Sequence, residues 1–216
     1  EKRGVEYEVW NSEAKSGPES NRASRVAAGM YNPVSFKRLV EVWNAREHME
    51  AMSTTYRSIE NFLDLKGKLF HNAPIMRVFP NKQYRDLWEK RLVDSHPVAE
   101  FLSEISYDSP KDVITTHGFG VVPEAGWVDL QLLIDSFCSN LKRRNRFYKR
   151  SWDFSAPIPS RFSHLIDCRG VGAAQDLSSI GLKIASDHGE VLTIKSPINT
   201  KGMCVNRVKW LLPRGD

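Results

Sequence analysis

The sequence has few cysteines and no long hydrophobic run. Its three cysteines, Cys138, Cys168 and Cys204, lie far apart and form neither a C-x-x-C motif nor the Cys/His spacing of a zinc site. No segment approaches the roughly 20 consecutive apolar residues that a transmembrane helix requires. These absences argue against a closed metal site and a membrane-spanning segment, and we expect no cofactor. Scattered cysteines in a chain of this length predict an intracellular protein in a reducing compartment.

The chain length and the sequence pattern predict a division into three regions. A chain of 216 residues is long enough for one large domain or two small ones. Residues 1–30 contain a short alternating strand and a flexible polar arm at 11–24, which lacks large apolar side chains. Residues 31–152 are expected to be mainly helical. Residues 153–216 are expected to be β-rich, either as a separate region or in one domain with 31–152.

Helical spacing dominates the middle of the chain, where five groups of apolar residues recur three and four positions apart. The groups are Phe36, Leu39, Val40 and Trp43; Met52, Tyr56, Ile59 and Leu63; Tyr84, Leu87, Trp88 and Leu92; Val98, Phe101, Leu102 and Ile105; and Leu130, Ile134, Phe137 and Leu141. Each group predicts one face of a helix, and the first two groups predict either two helices or one long helix with a break at 44–48. The last face continues through Arg144 to Tyr148, so the predicted helix ends in basic residues.

Strand patterns are predicted after Trp152. Residues 162–168 and 204–212 are candidate strands, and residues 182–186 and 190–195 flank Asp187-His188-Gly189, which suits a hairpin turn. We therefore expect an α+β fold, in which a helical N-terminal two-thirds packs with a β-rich C-terminal third made of antiparallel hairpins.

The net charge of +5 comes from one short segment. Six of the nine residues from 142 to 150 are basic and none is acidic. Removing these six from the 31 basic residues leaves 25 against 26 acidic ones, a net charge of −1. One or two cations suffice to complement a helix dipole, but six packed together repel one another. The segment therefore predicts a polyanionic partner as well as a helix end.

Residues 142–152 predict a nucleic-acid interface because aromatic side chains are interleaved with the basic ones. The predicted phosphate contacts are Lys142, Arg143, Arg144, Arg146, Lys149 and Arg150. Tyr148 and Trp152 are expected to stack on unpaired bases, which favours RNA over duplex DNA. This pattern predicts a non-catalytic subunit of a larger ribonucleoprotein assembly with further protein partners. An acidic protein or a membrane surface is the alternative partner for the same charge.

Two other functions are consistent with the sequence. The first is an enzyme acting on a nucleotide or nucleic acid, with its site at the turn from Asp167 to Gly172 and with His164 or His117 in a pocket beside it. That turn has only part of the dinucleotide-binding pattern, because Gln175 stands where the third glycine is expected. The second is a protein-binding scaffold, which predicts exposed tryptophan-rich patches and no salt-dependent binding to polyanions.

Overall fold

The structure, a computed structural model, describes residues 4–12, 22–93, 95–187 and 189–214. Within them lie five α-helices: α1 (Ala23–Val26), α2 (Ala45–Leu63), α3 (Lys82–Val93), α4 (Leu130–Arg143) and α5 (Ala174–Ser179). The same residues form eleven short strands: β1 (Val9–Trp10), β2 (Met30–Tyr31), β3 (Val34–Ser35), β4 (Val40–Glu41), β5 (Phe70–Asn72), β6 (Ile75–Val78), β7 (Phe119–Val122), β8 (Gly126–Val128), β9 (Phe147–Tyr148), β10 (Cys204–Asn206) and β11 (Trp210–Leu211). Short 3-10 helices cover Pro97–Phe101 and Gly170–Ala173. In this described part of the chain, no helix has both the length and the hydropathy needed to cross a lipid bilayer.

The predicted split between a helical N-terminal two-thirds and a β-rich C-terminal third is wrong. Strands occur throughout the chain, and nine of the eleven, β1 to β9, lie before residue 149. The fold is mixed α+β with several small sheets. These strands contain only two to four residues each. Because a period of two needs about four to eight residues to become visible, the sequence pattern did not reveal them.

The apolar patterns of the sequence predicted some helices and strands correctly and others wrongly. The helices α2, α3 and α4 are confirmed. The stripe from Phe36 to Trp43, predicted as a helix, instead belongs to an antiparallel hairpin of β3 and β4. Residues 204–212, predicted as one strand, form the β10–β11 hairpin. The strands predicted at 162–168, 182–186 and 190–195 do not form, and within the described residues these segments join no sheet.

The chain divides into two compact units. Unit 1 comprises residues 1–19 and 138–192, and unit 2 comprises residues 20–137 and 193–216. The proposed regions 1–30, 31–152 and 153–216 stay a prediction. Most of the polar arm predicted at 11–24 lies outside the described residues, which exclude 13–21.

A four-stranded sheet in the order β11–β10–β6–β7 organises unit 2. Its central strand β6 runs parallel to β10 and antiparallel to β7, and all four of its residues are buried. Ile75 faces one apolar cluster, which contains the fully buried Trp88, while Met76 and Val78 face a second cluster with Phe119. The sequence predicts a short strand at 75–79, because Pro74 and Pro80 bracket a mostly apolar stretch, and burial on both faces is consistent with that composition.

A second sheet of unit 2 is attached to α2 through a buried carboxylate. The strands lie in the order β2–β8–β5. Glu60 of α2 accepts hydrogen bonds from the backbone N–H groups of Leu69, at 2.8 Å, and Phe70, at 3.1 Å. These bonds satisfy the buried N–H of Leu69 and the half-buried N–H of Phe70 at the start of β5, and so fix this strand against the helix.

Candidate nucleic-acid interface

The basic segment begins at the end of α4, and the helix ends through its own backbone. Asn145 has φ 54°, a left-handed conformation that asparagine adopts more readily than most residues. The N–H of Asn145 donates to the carbonyl of Lys142 at 3.1 Å, and the N–H of Arg146 donates to that of Leu141 at 2.9 Å. This pair of bonds is the Schellman motif. Two terminal carbonyls of α4 are therefore satisfied without any basic side chain.

After this turn the chain forms β9, which pairs with the N-terminal strand β1. The pairing is parallel, with Val9 opposite Phe147 and Trp10 opposite Tyr148. The N–H of Val9 donates to the carbonyl of Arg146 at 2.8 Å. The second half of the basic segment is therefore part of a two-stranded ribbon, and not the continued helical face that the apolar spacing predicted.

Arg146 is a basic residue that is engaged by an acidic side chain of unit 1. Its guanidinium contacts both carboxylate oxygens of Glu6, at 2.8 and 3.0 Å. It also lies 5.2 Å from the centre of the Tyr7 ring. A phosphate at Arg146 would have to compete with the Glu6 carboxylate, which offsets part of the positive potential of this cation.

A group of aromatic rings and one guanidinium surrounds Trp10, and we call it the Trp10 cluster. Its members are Trp10, Tyr148, Arg150, Trp152 and Phe162. The Arg150 guanidinium lies 3.9 Å from the Trp10 ring centre and 5.0 Å from that of Tyr148. The ring centres of Trp10 and Trp152 are 5.5 Å apart, with planes inclined at 44°. All four rings are half-buried and Arg150 is exposed, so the cluster combines packing with an accessible cation.

Five of the six basic side chains of the segment are exposed. They are Lys142, Arg143, Arg144, Lys149 and Arg150. Lys142 lies 5.3 Å from the centre of the Phe147 ring. For the Arg143 side chain, the described residues offer no ion pair, hydrogen bond or ring contact. The last turn of α4 and the β9 ribbon thus present cations to solvent along one continuous stretch of chain.

Glu8, on the chain leading into β1, is the second acidic residue beside this interface. It accepts a hydrogen bond from the Trp10 indole N–H at 2.9 Å and one from the Arg161 guanidinium at 3.2 Å. These donors hold the pKa of Glu8 below its usual range, the Trp10 bond contributing most. Glu8 therefore orients the Trp10 ring and neutralises Arg161, while Arg150 remains stacked on that ring.

Trp10, like Phe162, is a member of the interface that the sequence did not indicate. It is separated from Tyr148, its partner across the ribbon, by 138 positions. Its alternating surroundings predicted only a short strand. The predicted stackers Tyr148 and Trp152 both belong to the Trp10 cluster, where Tyr148 lies beside Arg150 and Trp152 beside Trp10. A base would therefore have to contact the faces of their rings that the cluster leaves accessible.

The turn from Asp167 to Gly172 is held by ion pairs between one arginine and two aspartates. The Arg169 guanidinium donates to both Asp167 oxygens, with the shortest contact at 2.7 Å, and to Asp176 at 2.8 Å. These bonds hold the pKa of Asp167 below its usual range. The Asp167 carboxylate thus serves as an acceptor that shapes the turn. The enzyme hypothesis at this turn stays a prediction.

Two histidines that the enzyme hypothesis named lie in different units. His164 is exposed in unit 1, where its Nδ1 lies 2.9 Å from the hydroxyl of Ser163. His117 belongs to unit 2. Among the residues the structure describes, no three His, Cys, Asp or Glu side chains are grouped to hold a metal ion.

No protein-family model matches this chain, and no solved structure matches it significantly. Its function must therefore be argued from the chemistry of its own surfaces.

Proposed function

We propose that this protein is a non-catalytic subunit that binds single-stranded RNA through residues 142–152 and the Trp10 cluster. The observation that supports the proposal is the set of five exposed cations on a segment whose helix end is already satisfied by backbone bonds. The helix therefore does not account for so many cations. Phosphates would compensate their mutual repulsion and release condensed counterions on binding.

An extended strand fits the distribution of charge and rings. Phosphates would lie along Lys142, Arg143 and Arg144 at the end of α4, then along Lys149 and Arg150 beyond β9. Bases would stack on the accessible faces of Tyr148 and Trp152, at roughly 1–3 kcal/mol per base. Because stacking needs unpaired bases, the proposal favours single-stranded RNA over duplex nucleic acid.

The test is fluorescence anisotropy with a labelled single-stranded RNA and a duplex DNA over a salt series. Five phosphate contacts predict a log–log salt slope of about 3–4 for the single strand, at ~0.7 per contact. The double variant Arg143→Glu/Arg144→Glu should reduce this slope by about 1.4 or more. Both side chains are exposed, so the fold should be retained.

The matched control is Lys66→Glu/Lys111→Glu, which makes the same charge change at two exposed lysines of unit 2. If this control weakens RNA binding as much as Arg143→Glu/Arg144→Glu does, binding follows net charge and the proposed interface is wrong. Equal affinity of the Arg143→Glu/Arg144→Glu variant and the unaltered protein at low salt would also overturn it.

A protein-binding scaffold is the second candidate, because several large apolar side chains are exposed. Trp43 is 79% exposed, and Ile166 and Leu192 are each 84% exposed. Such side chains are common at protein interfaces when they are grouped. This function predicts no salt-dependent RNA binding in the anisotropy experiment, so the same measurement separates the two candidates.

A further inference from the structure

Unit 2 buries a guanidinium that has no carboxylate partner among the residues the structure describes. Arg77 lies in the central strand β6 and is 8% exposed. Within the described residues it forms no ion pair, and its Nη1 donates only to neutral oxygens, the side-chain oxygen of Asn206 and the backbone carbonyl of Arg207. The Nε of Arg77 is also buried, and it finds no hydrogen-bond acceptor among the described residues. Burying a charge normally requires a counter-charge, so Arg77 contributes positive potential that no carboxylate of the described residues offsets.

Aromatic rings connect Arg77 to the surface. The guanidinium lies 4.6 Å from the ring centre of Tyr84 and 5.3 Å from that of Phe36. Phe36 in turn packs against Trp210, with ring centres 5.8 Å apart. Trp210 is paired with Asn206 across the β10–β11 hairpin and is 46% exposed. The rings thus lead from a buried cation to an accessible indole face.

The surface around these rings is basic. The hairpin loop exposes Arg207 and Lys209, and Lys37 and Arg38 are exposed directly after Phe36. Neither Phe36–Arg38 nor Asn206–Trp210 contains an acidic residue. Arg77 holds the loop in place through the carbonyl of Arg207. The half-exposed Trp210 thus follows two exposed cations of its own hairpin and packs on Phe36, which is followed by two more and contacted by the buried Arg77.

We propose that the β10–β11 hairpin binds a nucleotide phosphate, with the base stacked on Trp210. Arg207 and Lys209 would contact the phosphate, and the buried charge of Arg77 would strengthen the attraction without touching the ligand. A phosphate and a planar ring are shared by a free mononucleotide and by a nucleotide within a strand. This site lies in unit 2 and does not depend on the proposed RNA interface of unit 1.

The test is isothermal titration calorimetry of the full chain with adenosine 5′-monophosphate, with a six-residue oligoadenylate and with inorganic pyrophosphate. We expect Lys209→Glu to weaken binding of all three ligands by roughly tenfold or more, because it removes a charge-assisted contact to phosphate. Trp210→Ala should weaken both adenine ligands by a similar factor and leave pyrophosphate unchanged. Both altered side chains are exposed, so circular dichroism should report an intact fold.

Two controls isolate the site. Trp43→Ala removes another exposed tryptophan, which lies between Glu41 and Glu47 on a recess of unit 2, and should leave nucleotide affinity unchanged. Arg143→Glu/Arg144→Glu should also leave the monophosphate affinity unchanged, whether or not the RNA interface exists.

If only the oligoadenylate binds, and Lys209→Glu abolishes that binding, the site is one for nucleotides within a strand. Absence of binding by all three ligands at millimolar concentration, or affinities insensitive to both hairpin variants, would overturn the proposal.

Discussion

Asn145 and Leu39 show how single residues set the path of the chain at two turns. Both have positive φ values, 54° and 49°. Asparagine adopts this conformation at low cost, whereas leucine does so rarely. Leu39 is nonetheless fully buried in the main apolar cluster. Burying a leucine side chain contributes about 1.5–3 kcal/mol, which offsets the roughly 1–2 kcal/mol cost of its left-handed backbone.

The three cysteines differ in their environment, and this determines which thiol can react. Cys168 is exposed, Cys138 is half-buried and Cys204 is fully buried. Burial raises the pKa of Cys204 to about 12. The thiolate is the reactive form, so Cys204 combines an inaccessible sulfur with a suppressed thiolate.

We predict that a disulfide reagent such as dithionitrobenzoate modifies Cys168 quickly at pH 8 and reaches Cys204 only after unfolding. The measurement is the absorbance time course in native buffer and in denaturant. In the Cys168→Ser variant the fast phase should disappear, while the thiol released by denaturation remains. Rapid native modification of Cys204, identified by peptide mass, would contradict the buried position.

The Cys204 thiol also makes the free energy of unfolding depend on pH. The folded pKa of Cys204 lies above the unfolded one, so the unfolded chain releases the proton first as the pH rises. The contribution of Cys204 is therefore fully present below about pH 9 and is lost as the pH approaches 12, the folded value. Desolvation raises the pKa of Tyr31 to about 12 as well, and this acts in the same direction.

At the scale of elements, the segment 36–43 shows why apolar spacing alone misassigned a hairpin. Phe36, Leu39, Val40 and Trp43 fit a helical face, which would bury all four side chains together. In the structure Leu39 is fully buried but Trp43 is 79% exposed. The positive φ of Leu39 reverses the chain between β3 and β4, and a helix cannot include such a residue.

The contact between α3 and β7 depends on a glycine. Trp88 of α3 is fully buried, and its indole N–H donates to the carbonyl of Ser103 at 2.9 Å. A Cβ atom on Gly120 of β7 would lie only 2.3 Å from the Trp88 ring. This ring therefore occupies the space above Gly120, and the helix can approach the sheet only because that side chain is absent.

We predict that Gly120→Ala destabilises the fold by roughly 1–3 kcal/mol, the usual cost of overpacking a core. The measurement is urea unfolding followed by tryptophan fluorescence. Gly189→Ala is the matched control, because a Cβ there meets no atom within 4 Å and its φ is not positive. Equal unfolding midpoints for the two variants would show that the Trp88 ring does not occupy the space above Gly120.

At the scale of the whole molecule, order is distributed unevenly along the chain. The two apolar clusters and the four-stranded sheet belong to unit 2. In contrast, residues 182–187 and 189–199 are exposed and join no sheet or helix. The amides of Leu182 and Ile198 donate to the carbonyl of Leu177 and the hydroxyl of Ser196. Exposed amides outside helices and sheets open to solvent at little free-energy cost.

We predict that hydrogen–deuterium exchange is slowest for peptides covering β6 and β7 and is complete within seconds for peptides from 182–199. Mass spectrometry of peptic fragments measures both sets in one experiment. The exposed helix-forming segment 174–179 provides an internal comparison with intermediate protection. Strong protection of 182–199 in the isolated chain would mean that these residues form the hairpin that their alternation predicted.

The features that could be predicted from the sequence alone depend on residues that are close together in the chain. Apolar spacing over three or more turns identified α2, α3 and α4, and the buried run of β6 was also apparent. The concentration of basic charge at 142–150 requires only the sequence, since it is a property of consecutive residues. These features are local, because each depends on residues within about 20 positions of one another.

Tertiary structure alone decided the contacts between distant residues. Two-residue strands have no period of their own, so β1 exists only because β9 pairs with it. That pairing brings Trp10 to Arg150, and the pairing of β10 with β6 brings Arg77 to Asn206, 129 positions away. Whether such a contact forms depends on how the chain closes its loops and on which side chains become buried together. These are properties of the complete fold, and no short segment of the sequence encodes them.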